Sequence, residues 1–119
     1  ARWYADGFPA MHPSIVEEIR TMVSKTPIDG YIAATIAVRD FDITDRLSNI
    51  KAPLLLITGA EDKATPVSEA KLISETCANA KLITIENASH LAIVEKPDEF
   101  NTALLNFFSN VDERPHKDN

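Results

Sequence analysis

At 119 residues, 45% hydrophobic and 25% charged, the chain has the size and composition of one ordinary globular domain. Its net charge of −6 leaves no basic stripe to neutralise phosphates, which excludes a nucleic-acid binder. The single cysteine, Cys77, excludes an internal disulfide framework and fits a reducing, cytoplasmic compartment; no apolar run approaches the ~20 residues of a membrane span. No charged segment followed by an apolar stretch opens the chain, so no signal peptide is expected. The abrupt start at Ala1, without methionine, fits a processed N-terminus or a piece of a longer chain.

In chain order, Trp3, Tyr4 and Phe8 of ARWYADGF read as core-packing aromatics, with a pocket lining as the sharper alternative. Arg2 is able to meet a substrate carboxylate bidentately or to stand solvated at the surface. His12-Pro13 starts a helix with Ile15, Val16, Ile19, Met22 and Val23 on one face, and Lys25-Thr26-Pro27 ends it. A second helix is expected from about Pro27 to Arg39, burying Ile28, Tyr31, Ile32, Thr35 and Ile36. Residues 41–52 form a polar connection anchored by Leu47 and Ile50.

Leu54 to Ile57 is apolar without alternation, the pattern of a strand covered on both faces. Thr65 and Pro66 supply an N-cap and a first-turn proline for a helix reaching about Ala78. Leu82 to Ile85 is a second short strand. Pro97 opens a last helix whose Phe100, Ala103, Leu104, Phe107 and Phe108 form a core stripe. Asp112 to Asn119 is a polar, frayed tail. Strand, helix, strand, helix after Pro53 makes the fold class α/β, with two parallel strands. Two strands alone are too few for a doubly covered sheet, so this looks like part of a larger one.

Ligands of open parallel sheets bind beyond the carboxyl ends of strands. Asp62 and His90 both lie just past such ends, one strand–helix–strand repeat apart, so adjacent strands would bring their loops together. An aspartate on one imidazole nitrogen fixes the tautomer and stabilises the imidazolium formed when the other nitrogen takes a proton. The residues by themselves leave Glu61 as a rival for the acid. They also leave the plain alternative, in which these are turn residues. His12, His90 and His116 show no metal-ligand spacing, and Cys77 reads as a packing residue.

PLLLITGAEDKATP (residues 53–66) followed by ENASHLAIVEKPDEFNTALLNFF (residues 86–108) strongly resembles the C-terminal part of the α/β-hydrolase fold. There the triad runs nucleophile, acid, histidine along the chain. The resemblance implies Asp62 as acid and His90 as general base, with Pro66 starting the helix after the acid loop. Glu95, Pro97 and Phe100 match the approach to the final helix. Ser89, before the histidine, and the extra acidic Glu61 are small departures. RWYADGF and TPIDGYIAATIAVRDFD are similar to the late cap and returning core helix of 3-oxoadipate enol-lactonases, which hydrolyse a small anionic enol-lactone without a cofactor.

The resemblance divides the chain into late cap helices (1–26), the C-terminal part of the hydrolase core (27–111) and the tail (112–119). One expected part is missing: the glycines are Gly7, Gly30 and Gly59, and none makes a G-x-S-x-G nucleophile elbow. The implied function is therefore an enol-lactone hydrolase to which Asp62 and His90 are contributed here and the serine elsewhere. Arg2 and Trp3, on the cap side, are the substrate-binding candidates. A carboxylesterase on the same fold is the second expectation, and a non-catalytic interaction chain the third. Expected partners are a small anionic lactone or ester and the N-terminal half of the fold, or a second copy through the open sheet edge. No metal, cofactor, nucleic acid or membrane is implied.

Overall fold

The computed structural model describes residues 3–112. They form two compact units, residues 7–45 and residues 3–6 together with 46–112. The tail beyond Asp112 and the candidate Arg2 lie outside the described residues.

The unit 7–45 holds three helices: α1 (Phe8–Met11), α2 (Pro13–Ser24) and α3 (Ile28–Asp40). Gly7 enters α1 at φ 88°, a left-handed value that costs glycine nothing. Prolines at the starts of α1 and α2 place their fixed φ where the backbone N–H has no helical partner. In α2, Ile15, Val16 and Ile19 are half-buried as the periodicity requires, whereas Met22 and Val23 are exposed. The expected buried side of α3 is corrected. Ile28, Tyr31, Ile32 and Ile36 are 73%, 60%, 49% and 46% exposed, and no residue of this helix is buried. Periodicity reports that a face is suited to cover, not that this chain supplies the cover.

The other unit carries the sheet. β1 (Leu54–Gly59) and β2 (Ala80–Ile85) are parallel, with Leu54 opposite Ala80 and Gly59 opposite Ile85. They are joined through α4 (Val67–Thr76), the expected crossover. α4 and α6 (Pro97–Asp112) each pack on both strands, and the short α5 (Ala92–Glu95) packs on α6. Ile85, Ala88 and Ala92 form a buried hydrophobic cluster, with Ile57 and Phe100 against it. Leu54 to Ile57, expected to be covered on both faces, are only half-buried, because β2 is the one strand beside β1 among the described residues.

Two further expectations change in detail. α4 stops at Thr76, and Cys77 is extended and 2% exposed, its thiol donating to the Leu47 carbonyl at 3.2 Å. That contact ties the 3-10 turn Thr44–Asn49 down and explains why Leu47 is buried as an anchor. In α6, Ala103 is buried and Phe100, Leu104 and Phe107 are half-buried, but Phe108 is 53% exposed. Eight residues on from Phe100 the helix has turned about 80° past its starting direction, which carries Phe108 off the stripe. Among the described residues no helix is long and apolar enough to cross a membrane.

Candidate active site

The strand ends are held in contact by backbone. Beyond the last sheet pair, Ala60 N–H donates to Ile85 O at 2.9 Å and Glu61 N–H to Ala88 O at 2.9 Å. The Ser89 hydroxyl adds a bond to Glu61 O at 3.2 Å. The two loops can close this tightly because Gly59 has no side chain. A Cβ there would stand 2.3 Å from Ser89 O and 2.4 Å from Ala88 O. Asn87, at φ 53°, makes the left-handed turn that starts the second loop, a conformation asparagine tolerates better than most residues.

Asp62 and His90, the two residues singled out from their strand ends, are brought together: Nδ1 of His90 lies 2.9 Å from Oδ2 of Asp62. Asp62 is anchored on its own side by Ala64 N–H and Thr65 N–H, which donate to Oδ1 at 2.8 and 2.9 Å. The Thr65 hydroxyl donates to Oδ2 at 2.8 Å and stands 3.3 Å from His90 Nδ1. Burial alone would push the Asp62 carboxyl up. The four hydrogen bonds, led by Thr65 N–H and His90, outweigh it and hold the group down at about 2. The carboxylate is therefore ionised and can only accept, so the proton of the His90–Asp62 bond belongs to Nδ1. In the neutral imidazole this tautomer leaves the lone pair on Nε2. The Asp62 side chain is 4% exposed and that of His90 36%, so the acid is sheltered while the imidazole is reachable.

Thr65 is a third member of this constellation. Thr-Pro before a helix matches an N-cap followed by a first-turn proline, but Pro66 is the N-cap and no side chain caps α4. The threonine side chain turns back to Asp62 instead.

The depressed Asp62 group makes stability depend on acid in a definite direction. With a folded value of about 2 against an ordinary 3.8, the unfolded chain binds protons first as pH falls. The contribution, about 2 kcal/mol, should be fully present above pH ~4 and lost progressively as pH drops through 2. Thr65→Val removes one donor and leaves the backbone donors. It should cost about 1 kcal/mol at neutral pH and raise the Asp62 carboxyl toward the ordinary value. Urea midpoints from pH 6 to 2, with the carboxyl carbon followed by NMR, would decide. If Asp62 titrates near 4 in both proteins, the anchoring is not as described.

The remaining candidates separate cleanly. Glu61 is exposed and contributes its carbonyl, not its carboxylate, so it does not stand in Asp62's place. Ser89 is 2% exposed with its hydroxyl engaged, unsuited to nucleophilic attack. Trp3 is 42% exposed and its carbonyl accepts Leu91 N–H at 3.0 Å, which ties its backbone beside His90. His12 precedes α2, its ring 4.5 Å from that of Phe8. Among the described residues there is no group of three or more His, Cys, Asp or Glu that could hold a metal ion. A cleft of about 390 Å³ opens at the pair, lined among others by Leu56, Gly59, Asp62, Thr65, His90 and Phe100.

A parallel β–α–β unit with an Asp–His pair beyond its strand ends is what one class of enzyme scaffold presents. Residues 34–119 match the family model described as TAP-like protein. The chain is 33% identical over 103 residues to 3-oxoadipate enol-lactonase 2 of Acinetobacter baylyi, covering 87% of this chain and 38% of that protein. The crystal structure of the enol-lactonase from Burkholderia xenovorans LB400 superposes with TM-score 0.88 at 25% identity, over 91% of this chain and 41% of that one. MGS-M2, an alpha/beta hydrolase enzyme from a Medee basin deep-sea metagenome library, superposes with TM-score 0.80 at 29% identity, over 99% and 43%. The chain belongs to the TAP-like protein family and has the fold of the C-terminal part of an α/β hydrolase. It spans about two-fifths of the length of the two enol-lactonases it matches, 38% and 41%, and about a quarter of other relatives such as a proline iminopeptidase of Lactobacillus helveticus, 26%.

Proposed function

We propose that this chain contributes the acid and the histidine of a Ser-Asp-His hydrolase acting on a small anionic enol-lactone, 3-oxoadipate enol-lactone being the first candidate. The observation that carries the reading is the 2.9 Å bond between His90 Nδ1 and an ionised, anchored Asp62, which leaves Nε2 free to take a proton. The likeness to two enol-lactonases supports the substrate class.

In this reading the serine comes from the N-terminal half of the same fold. Its hydroxyl proton passes to His90 Nε2 as its oxygen bonds to the lactone carbonyl carbon. Collapse of the tetrahedral adduct breaks the ring C–O bond, and the imidazolium returns its proton to the departing enol oxygen. His90 then takes a proton from water, whose oxygen attacks the acyl-serine carbonyl, and gives it back to the serine. Asp62 stabilises the imidazolium in both halves without taking a proton itself. The second edge of β1, with no neighbour among the described residues, and the exposed face of α3 support assembly with a further segment.

The test is complementation. The chain is combined with the nucleophile-bearing N-terminal portion of an enol-lactonase relative and assayed on enol-lactone and simple aryl esters. Hydrolysis should require both pieces and favour the lactone. Turnover by the chain alone, abolished in His90→Ala, would place the nucleophile within these 119 residues and overturn the scheme. Preference for aryl esters would make it a carboxylesterase. Tight assembly or self-association without hydrolysis, indifferent to His90→Ala, would make it an interaction chain.

A further inference from the structure

Glu95 is 8% exposed, and the Asp62–His90 pair does not use it. A buried carboxylate is costly unless hydrogen-bonded, and here both oxygens are engaged by backbone. Oε1 accepts Ser89 N–H at 2.8 Å and Oε2 accepts Ala5 N–H at 2.6 Å. Ser89 immediately precedes His90. Ala5 belongs to the segment whose Trp3 carbonyl accepts Leu91 N–H at 3.0 Å, immediately after His90. The histidine is thus held from both sides, before it by Glu95 and after it by a segment that Glu95 itself fastens. In the same segment, burial and after it the Glu95 charge push the Tyr4 hydroxyl up. The donors lie six and ninety residues from Glu95, so the contact is tertiary and not a helix cap.

We infer that Glu95 is a positioning residue: its carboxylate clamps the backbone before His90 to residues 3–6 and so fixes the imidazole in register with Asp62. The inference deepens the proposed function, because it concerns the same His–Asp pair. It implies that the segment carrying Trp3 and the base move as one piece.

The test is NMR of the full 119-residue chain, following the downfield Nδ1–H proton of His90, its ring tautomer, and the exchange of the Ser89 and Ala5 amides. Glu95→Ala should abolish the downfield proton and speed exchange of both amides about tenfold or more. Glu95→Gln keeps one accepting oxygen. It should protect one amide, not both, and restore the His90 signal in part. Ala103→Gly, in the buried face of α6, serves as a destabilised control and should leave the His90 signal in place below its unfolding temperature. Should Glu95→Ala fail to fold, the Gln variant carries the decision. An unchanged His90 signal with both the Ser89 and Ala5 amides unchanged in Glu95→Gln, together with loss of the His90 signal in Asp62→Asn, would overturn the clamp and leave the pair standing. Absence of the Nδ1–H signal from the unaltered chain would overturn the pair itself.

Discussion

His90→Ala, in the hydrolase reconstituted with a nucleophile-bearing segment, is expected to lower kcat by on the order of 10⁴- to 10⁶-fold with little change in KM. The imidazole is the only group of the pair with a free nitrogen, so its loss removes proton transfer in both halves of the reaction. The variant should nonetheless fold. The ring is 36% exposed, and Asp62 keeps three donors in Ala64 N–H, Thr65 N–H and the Thr65 hydroxyl. A stability cost near 1 kcal/mol or below follows, small beside the catalytic loss. Asp62→Asn should lower kcat by on the order of 10⁴-fold, because an amide that donates to Nδ1 selects the wrong tautomer. Combined with His90→Ala it should add almost nothing, since the two act as a unit. Steady-state kinetics on the single and double variants give the answer. A drop of tenfold or less in His90→Ala, or additive losses, would show that the 2.9 Å contact is not a proton relay.

Gly59→Ala carries the largest expected structural effect. The added Cβ would meet Ser89 O at 2.3 Å, Ala88 O at 2.4 Å and Ala88 C at 2.6 Å. All three are backbone atoms, which cannot swing aside as a long side chain would. The loops must separate, and that breaks Glu61 N–H to Ala88 O and strains Ala60 N–H to Ile85 O. A cost of about 3 kcal/mol is expected, at the upper end for overpacking. The same separation carries His90 from Asp62, so the variant should lose relay function even where it remains folded. Gly30→Ala is the natural contrast. Nothing lies within 4 Å of its added Cβ in α3, and alanine there should stabilise by about 0.5 kcal/mol. Urea midpoints with unchanged m-values would test both. Equal stability of Gly59→Ala and the parent would refute the close approach of the two loops.

Much of the β–α–β unit was legible in residue order. The unbroken apolar run at Leu54 and the short, β-branched-rich stretch at Leu82 mark strands, and Pro66 and Pro97 mark helix starts, because these signals are local and depend on backbone geometry near the residue. One strand–helix–strand repeat between Asp62 and His90 was enough to expect their loops side by side. The choice between Asp62 and Glu61 was not local. Adjacent acidic residues project in different directions from a turn, and only the turn's geometry decides which meets the ring. Nor was the packing of α3, whose apolar spacing shows a face suited to burial but not the surface that would bury it. In sequence Thr65 looks like a helix cap, and Glu95 is given by the resemblance only as a residue on the approach to the final helix. The folded backbone alone gave them their partners: Thr65 meets Asp62 and Glu95 meets Ser89 through local turns whose geometry residue order does not give, and the Glu95 bond to Ala5 spans ninety residues, which leaves no periodicity in the chain to read.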